Sequence, residues 1–382
     1  MIKKKNNIIV CVPFLNHIGG TELEAILTAV HFYDSKHYSK VAIFSPTKNN
    51  VSIFKEVIGE RNISFLHYPT FFGIKSISFL NKALKKVGLR TSFFEYLYWL
   101  YHSTQYKKFF ILTYPGCVYF FPLFQFYNSR KKYVGKITMW HFKELPLEHN
   151  VIYDKFNVIL VFNEQQKEFW EQKMHLKTTK ALDIMILNEK NLLKIPEKSF
   201  ENRIPVFGYL GRISKEKNLE DMINLIDFLN TNHQIRCKLI IQGEGDLIYY
   251  EKLKILILKR NLSHFIDLNY DFISPLQTHR FYELIDVFLV TSKIEGGPMT
   301  ALEAAAAGCY VLGYEIGAMQ ERFGKFPGVV NNSFESLCNS ALELLNMNAT
   351  ERKIFLQAFR DFYITKLSNA DKGYKLNQFF ES

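Results

Sequence analysis

Apolar positions along this chain come in short runs separated by longer stretches with helical spacing. Asn7 to Pro13 reads as a buried strand and runs into a glycine turn, His17-Ile-Gly-Gly-Thr-Glu22, after which apolar residues recur every three or four positions through Tyr33. Further strands are predicted at Val41–Phe44, Phe109–Leu112, Lys136–Trp140 and Val158–Phe162. The second half repeats the alternation. Strands are predicted at Val206–Leu210, Cys237–Gln242, Asp286–Thr291 and Tyr310–Tyr314, with helices at Leu219–Asn230, after the Gly243-Glu-Gly-Asp246 turn, and at Thr300–Ala307. Strands alternating with helices imply parallel sheets covered on both faces, so the expected class is α/β.

Length divides this pattern in two. At 382 residues the chain exceeds what one hydrophobic core usually supports. The aperiodic, proline-containing stretch Asn188–Pro205 marks the expected boundary, giving domains of 1–190 and 191–365, with a last helix at about 366–382 free to pack on either. Hydrophobic residues make up 48% and charged residues 22%, which excludes a disordered chain. The uncharged run Phe109–Ser129 contains Pro115, Gly116, Pro122 and Gln125 and reads as buried strand and loop, not a bilayer span. The start of the chain lacks a signal peptide's apolar region, so a cytoplasmic protein is expected. Cys11, Cys117, Cys237, Cys309 and Cys338 show neither CxxC pairs nor metal-ligand spacing, and are expected as reduced, mostly buried thiols.

Two segments carry candidate chemistry. In Thr291-Ser-Lys-Ile-Glu-Gly-Gly-Pro-Met-Thr-Ala-Leu-Glu-Ala-Ala-Ala-Ala-Gly308 a strand ends, glycines turn the chain, and Pro298 stands where a helix begins. The N-terminus of such a helix attracts phosphate, and Gly296 and Gly297 permit close approach to the backbone. Glu303, on an Ala-rich packed face, calls for a partner such as a ribose hydroxyl pair. In Phe207-Gly-Tyr-Leu-Gly-Arg-Ile-Ser-Lys-Glu-Lys-Asn218, Arg212 and Lys217 follow a strand's C-terminal end, where open α/β sheets bind ligands, and both suit a diphosphate. Taken singly, an ordinary helix start and solvated loop charges remain open.

Together the segments resemble family 4 of the GT-B glycosyltransferases (glycosyl transferases group 1), in which a glycine-arginine-x4-lysine loop precedes a glutamate-x7-glutamate motif. Gly211, Arg212 and Lys217 match the first and Glu295 and Glu303 the second, over about residues 205–325. The resemblance implies two Rossmann-like, doubly wound domains facing a cleft, with the nucleotide-sugar donor, most readily a UDP-sugar, on the C-terminal one. It implies that Arg212 and Lys217 neutralise the donor pyrophosphate, Glu303 binds the ribose, Glu295 faces the transferred sugar, and the backbone from Gly296 through Met299 and Thr300 completes the cradle. Gly19 and Gly20 resemble the glycine turn opposite the donor phosphates, and His141 the histidine aimed at the donor sugar, although a lone histidine also suits a core. Glu144 is a further candidate, for the acceptor. Many members have glycine-phenylalanine-glycine after the first glutamate, where this chain has Gly296-Gly297-Pro298. The family is retaining, and the chain contains no Asp-x-Asp metal motif, so neither metal nor other cofactor is expected. A nucleotide-sugar epimerase, a phosphorylase or a non-catalytic nucleotide-sugar-binding protein of the same fold stays open.

Charge is uneven. Residues 1–190 hold 26 Lys/Arg against 14 Asp/Glu, and the window Lys75–Lys143 holds twelve basic residues with Glu95 as its one acid. Phe79, Leu80, Phe93, Tyr98, Trp99 and Tyr101 are interleaved with them. The mixture suits an anionic membrane surface, hence a peripheral position on the inner face of the cytoplasmic membrane and a glycan or lipid-linked acceptor, as in bacterial polysaccharide or lipopolysaccharide synthesis. The same aromatics would equally serve a core. Nucleic acid is not expected.

Overall fold

The structure is a computed structural model and describes residues 6–49, 51–73, 75–86, 92–113, 121–124, 126, 128, 130–138, 153–174, 179–198 and 203–381. The chain forms two compact units, residues 1–185 with 372–382, and residues 186–371.

In the first unit, the described residues form a sheet of seven parallel strands: β1 (Asn7–Cys11), β2 (Lys40–Phe44), β3 (Ile63–Leu66), β4 (Lys108–Thr113), β5 (Lys132–Ile137), β6 (Val158–Val161) and β7 (Thr179–Ala181). Their order is β3-β2-β1-β4-β5-β6-β7, so the winding reverses between β1 and β4. The central strands are apolar on both faces because helices cover both. Phe44, Trp99, Phe109, Tyr133, Phe156 and Trp170 belong to one core cluster.

The fifth strand begins at Lys132, four residues ahead of the position its pattern suggests, because its lysines break the apolar run. Lys136 is the reason one of them can lie inside. Its Nζ is ion-paired with Glu24 of the Gly20–Asp34 helix, both side chains being at most 4% exposed, and it also donates to Asp183 O at 3.3 Å. Lys136 is therefore no part of a basic surface. Trp99 is likewise removed from it: the indole is fully buried and its Nε1 donates to Tyr68 Oη at 2.8 Å. Tyr98 packs edge-on against Tyr68 at 5.1 Å. What stays outside is Phe79, 74% exposed, with Leu80, Lys82 and Lys86 on the Lys75–Lys86 helix, and Phe93, Leu97, Leu100 and Tyr101 along one side of the Phe93–Gln105 helix.

The last helix, Asn369–Glu381, contributes its residues from Lys372 onward to this first unit. Phe380 meets Phe32 at 5.4 Å, and the buried Lys372 Nζ donates to Ile184 O at 2.6 Å.

In the second unit the described strands are β8 (Val206–Leu210), β9 (Lys238–Gln242), β10 (Ile266–Asn269), β11 (Val287–Val290), β12 (Tyr310–Tyr314) and β13 (Val330–Asn331), all parallel, in the order β10-β9-β8-β11-β12-β13. Here the winding reverses between β8 and β11. Asp286, wholly buried ahead of β11, accepts from Arg203 Nη1 and Nη2 and from Val206 N at 2.9 Å, which locks the starts of these two strands together. The segment after Ile186 is no loose connector. Asn369 bonds Ile186 at both its N–H and its C=O, Glu189 accepts from Tyr363 Oη at 2.7 Å, and Arg360 donates to Leu193 O and Ile195 O. Cys11, Cys237, Cys309 and Cys338 are free and buried, and Cys117 lies outside the described residues.

Candidate functional site

In the second unit, the loops after β8 and β11 leave the sheet side by side where the strand order reverses, the crevice at which open α/β sheets take ligands. After β8, Tyr209 Oη donates to Arg212 O at 2.8 Å and fixes the turn. The Arg212 side chain is 68% exposed and its Nη2 lies 3.1 Å from Glu216 Oε1. A single 3₁₀ turn, Lys215–Lys217, leads to Asn218 in the left-handed region at φ 52° and then to the Leu219–Asp227 helix. The Gly243-Glu-Gly245 turn braces this loop from the β9 side. Ile213 N donates to Glu244 O at 2.9 Å and Asp246 N to Ile213 O at 2.7 Å. A Cβ on Gly245 would stand 2.2 Å from Ile213 O, so its glycine serves backbone packing.

The loop after β11 is stitched to the first. Thr291 Oγ1 lies within hydrogen-bonding distance of Lys217 O (3.1 Å) and Asn218 O (2.9 Å), and Lys293 N donates to Glu216 O at 2.8 Å. Lys217 Nζ is ion-paired with Glu295 Oε1, which also accepts from Ser292 Oγ at 3.0 Å. Gly296 and Gly297 follow. Gly317, at φ 55°, lets the next loop approach until a Cβ on it would lie 2.4 Å from Gly296 O.

Pro298 is the N-cap residue, one position ahead of its expected place inside the helix, and the helix runs Met299–Ala306. Proline has no side chain to cap the first turn, whose N–H groups lack intrahelical acceptors and carry the positive end of the helix dipole. Its carbonyl accepts from the buried Arg322 Nη1 at 2.7 Å, which braces the helix entry from behind.

Glu303 lies one turn further and is 4% exposed. Burial pushes its carboxyl up to about 8, against the opposing effect of a hydrogen bond from Tyr282 Oη, 2.9 Å from Oε2. The same hydroxyl lies 3.1 Å from Thr300 O. Near neutral pH the group is therefore mostly a neutral acid that can ionise when a ligand offers hydroxyl donors.

Of the residues singled out in the sequence, Arg212, Lys217, Glu295, Gly296, Gly297, Met299, Thr300 and Glu303 thus fall on these two loops and the helix they lead into. Gly19 and Gly20 lie in the first unit, after β1. Gly19 is the N-cap of the Gly20–Asp34 helix, and a Cβ there would stand 2.5 Å from Glu22 Oε2, whereas Gly20 faces open space. His17 Nε2 lies 3.3 Å from Glu22 Oε1. His141 and Glu144 lie outside the described residues. Among the described residues no three His, Cys, Asp or Glu side chains gather as a metal site requires. Sequence reading gave no role to Thr291 and Ser292, which open the quoted segment, and missed Gly317, Arg322 and Tyr282. All five support the charged residues from behind, and no spacing rule joins the last three to the motifs.

Residues 193–355 match the family model described as glycosyl transferases group 1. That match covers part of the chain, which is similar to the group over residues 193–355, and its two parallel α/β sheets have the GT-B architecture. It is 25% identical over 248 residues to the UDP-N-acetylglucosamine–peptide N-acetylglucosaminyltransferase GtfA subunit of Streptococcus parasanguinis, an alignment covering 60% of this chain and 45% of that relative. Its fold is similar to a crystal structure of a glycosyltransferase from Rickettsia africae ESF-5, with a TM-score of 0.74 and 12% identity over 99% of this chain and 98% of the other. The pneumococcal O-GlcNAc transferase GtfA, crystallised with UDP and GlcNAc, gives a TM-score of 0.72 at 12% identity over 99% of each chain.

Proposed function

We propose that this chain is a retaining glycosyltransferase that takes a sugar from a nucleotide-sugar donor, a UDP-sugar first among them, and moves it to a glycan or lipid-linked acceptor. The observation that carries the reading is the convergence of Arg212, Lys217, Glu295 and Glu303 on two adjacent loops at the switch point of the second sheet. Departure of a nucleoside diphosphate is the demanding part of such a reaction. Lys217 would exchange Glu295 for the pyrophosphate, Arg212 would leave Glu216 for the same group, and the first turn of the Met299–Ala306 helix would add fixed N–H donors. Glu295, freed of the lysine, would face the sugar, while Glu303 would accept the two ribose hydroxyls. By resemblance the acceptor hydroxyl attacks from the face the diphosphate leaves, and that diphosphate takes the proton. No protein-bound metal enters this proposal.

Thermal-shift and calorimetric screening against UDP-, GDP-, ADP- and CMP-sugars tests it. UDP-N-acetylglucosamine comes first because one relative is named for it and one structural neighbour holds UDP and GlcNAc. The expected result is binding by one donor class, weakened in Arg212→Ala. Donor turnover that requires an acceptor supports a transferase. Sugar interconversion without an acceptor would favour an epimerase, and binding without turnover a non-catalytic binder.

A second reading concerns the acceptor's setting. Phe79 and Leu80 stand exposed beside Lys82 and Lys86, a combination suited to an anionic membrane surface, and it supports a peripheral site on the cytoplasmic membrane and a role in bacterial surface polysaccharide or lipopolysaccharide synthesis. No described helix is long and apolar enough to cross a membrane. Co-sedimentation with phosphatidylglycerol vesicles should be lost in a Lys82→Glu, Lys86→Glu variant that still binds donor; retention would remove the membrane from the proposal.

A further inference from the structure

Glu303 owes its orientation to a residue outside both motifs. Tyr282 lies on the Thr278–Leu284 helix, which precedes β11, and its ring is wholly buried, edge-on to Phe281 at 5.7 Å and tilted against Phe288 at 5.7 Å. Packed on these faces, the phenol cannot swing away. Its hydroxyl reaches both Glu303 Oε2, at 2.9 Å, and Thr300 O, at 3.1 Å.

One hydroxyl holds one proton, so these contacts define two states. With Glu303 ionised, the phenol donates to the carboxylate. With Glu303 protonated, the carboxylic acid donates to the phenol oxygen and the phenol proton turns to the Thr300 carbonyl. We propose that Tyr282 is a positioning residue for nucleotide binding, holding the Glu303 carboxylate in the ionised, correctly oriented form that accepts two ribose hydroxyls. The inference rests on the ribose reading of Glu303.

A carboxylate can accept from both hydroxyls at once, whereas a carboxylic acid has to donate one of its own hydrogen bonds, so the ionised form is the better receptor. Because burial raises the Glu303 carboxyl to about 8, ionising it is the cost of binding near neutral pH, and the Tyr282 hydrogen bond lowers that cost. Charged groups on neighbouring elements are engaged away from the Tyr282 hydroxyl: Lys198 Nζ donates to Tyr282 O at 2.6 Å and Glu283 O at 3.0 Å. Glu189, on the Glu189–Leu192 helix, accepts from Tyr363 Oη and Asn369 N, Arg360 donates to Leu193 O and Ile195 O, and Arg322 to Pro298 O. Cys309, whose Sγ donates to Tyr282 O at 3.6 Å, is pushed up to about 12 by burial and stays neutral over the range considered.

The test is calorimetric titration of the full chain with UDP between about pH 7.5 and 9.5, where the terminal phosphate of a nucleoside diphosphate is already ionised. Wild type, Glu303→Gln and Tyr282→Phe are compared. Affinity of the wild type should rise with pH, by up to about tenfold per unit below a break near pH 8, and then level off. Glu303→Gln should bind more weakly with no break. In Tyr282→Phe, which removes one oxygen and keeps the packed ring, the break should move up by about one pH unit, and affinity should recover at the alkaline end. Thermal unfolding checks that this variant folds. A lowered melting temperature with an unmoved break would make Tyr282 merely structural and overturn the inference while leaving the ribose reading intact. Wild-type affinity and pH dependence in Glu303→Gln, or no UDP binding by the wild type at any pH, would overturn both.

Discussion

Lys217 and Glu295, 78 residues apart in sequence, form an ion pair that ties the loop after β8 to the loop after β11, each side chain being 17% exposed. Ser292 donates to the same carboxylate oxygen, so Glu295 keeps a partner when the lysine leaves. Lys217→Met should therefore cost little in stability, about 1 kcal/mol, while nucleotide affinity falls by roughly ten- to hundredfold, as for loss of a charge-assisted hydrogen bond. Lys217→Arg should not restore affinity, because the planar fork cannot occupy a point-charge position between Glu295 and a phosphate. Denaturant unfolding and UDP calorimetry check the two arms.

Glu303 links stability to pH. Its folded-state value, about 8, lies above its ordinary value of 4.5, so between these limits the folded chain holds a proton that the unfolded chain has released. Stability from this group is present at low pH and falls by about 1.4 kcal/mol per unit as pH rises through that window. Glu303→Gln should remove that slope, and the difference between the denaturation curves of wild type and variant from pH 5 to 9 isolates it. Parallel curves would show that the carboxyl is ionised in the folded chain at neutral pH.

Gly317 meets the site through backbone: its left-handed conformation and its closeness to the Gly296 and Glu295 carbonyls set the height of the glycine loop. Gly317→Ala should destabilise the chain by about 2 kcal/mol or more, from the positive φ and the contact together, and should weaken UDP binding as well. Gly20→Ala, where a Cβ meets no described residue within 4 Å, is the contrasting case, with an expected stability change within about 0.5 kcal/mol. Thermal melts of the two variants compare directly.

Lys136→Met would leave Glu24 buried without its cation, and Glu24 Oε2 has no hydrogen-bond partner among the described residues even in the wild type. The expected loss is about 3–5 kcal/mol, most of it recovered when Glu24→Gln is added. Urea unfolding of the single and double variants gives the coupling directly; two additive losses would mean that the pair does not act as a unit.

The central strands were legible because a strand buried on both faces leaves an unbroken apolar run, as in residues 8–11 and in Val287–Val290. The edges were not: Thr179–Ala181 and Val330–Asn331 are too short to show a period, and Ile266–Asn269 carries Asp267. The charged residues of the second-unit site were readable from their spacing, since each follows a strand end. Their supports were not, because Tyr282 reaches Glu303 through tertiary packing between two helices and Gly317 acts through backbone proximity. The basic window misled at Lys136, whose charge is hidden by a carboxylate more than a hundred residues away, and at Trp99, whose size makes it serve the core and not a surface.

The return of residues 372–382 to the first unit makes the second unit an insertion within the first. A chain emerging from the ribosome N-terminus first would then complete the second unit before the segment bearing Phe380 and Lys372 exists to cover Phe32 and the Ile184 carbonyl. The half of the chain that is synthesised first is thus the half that finishes folding last.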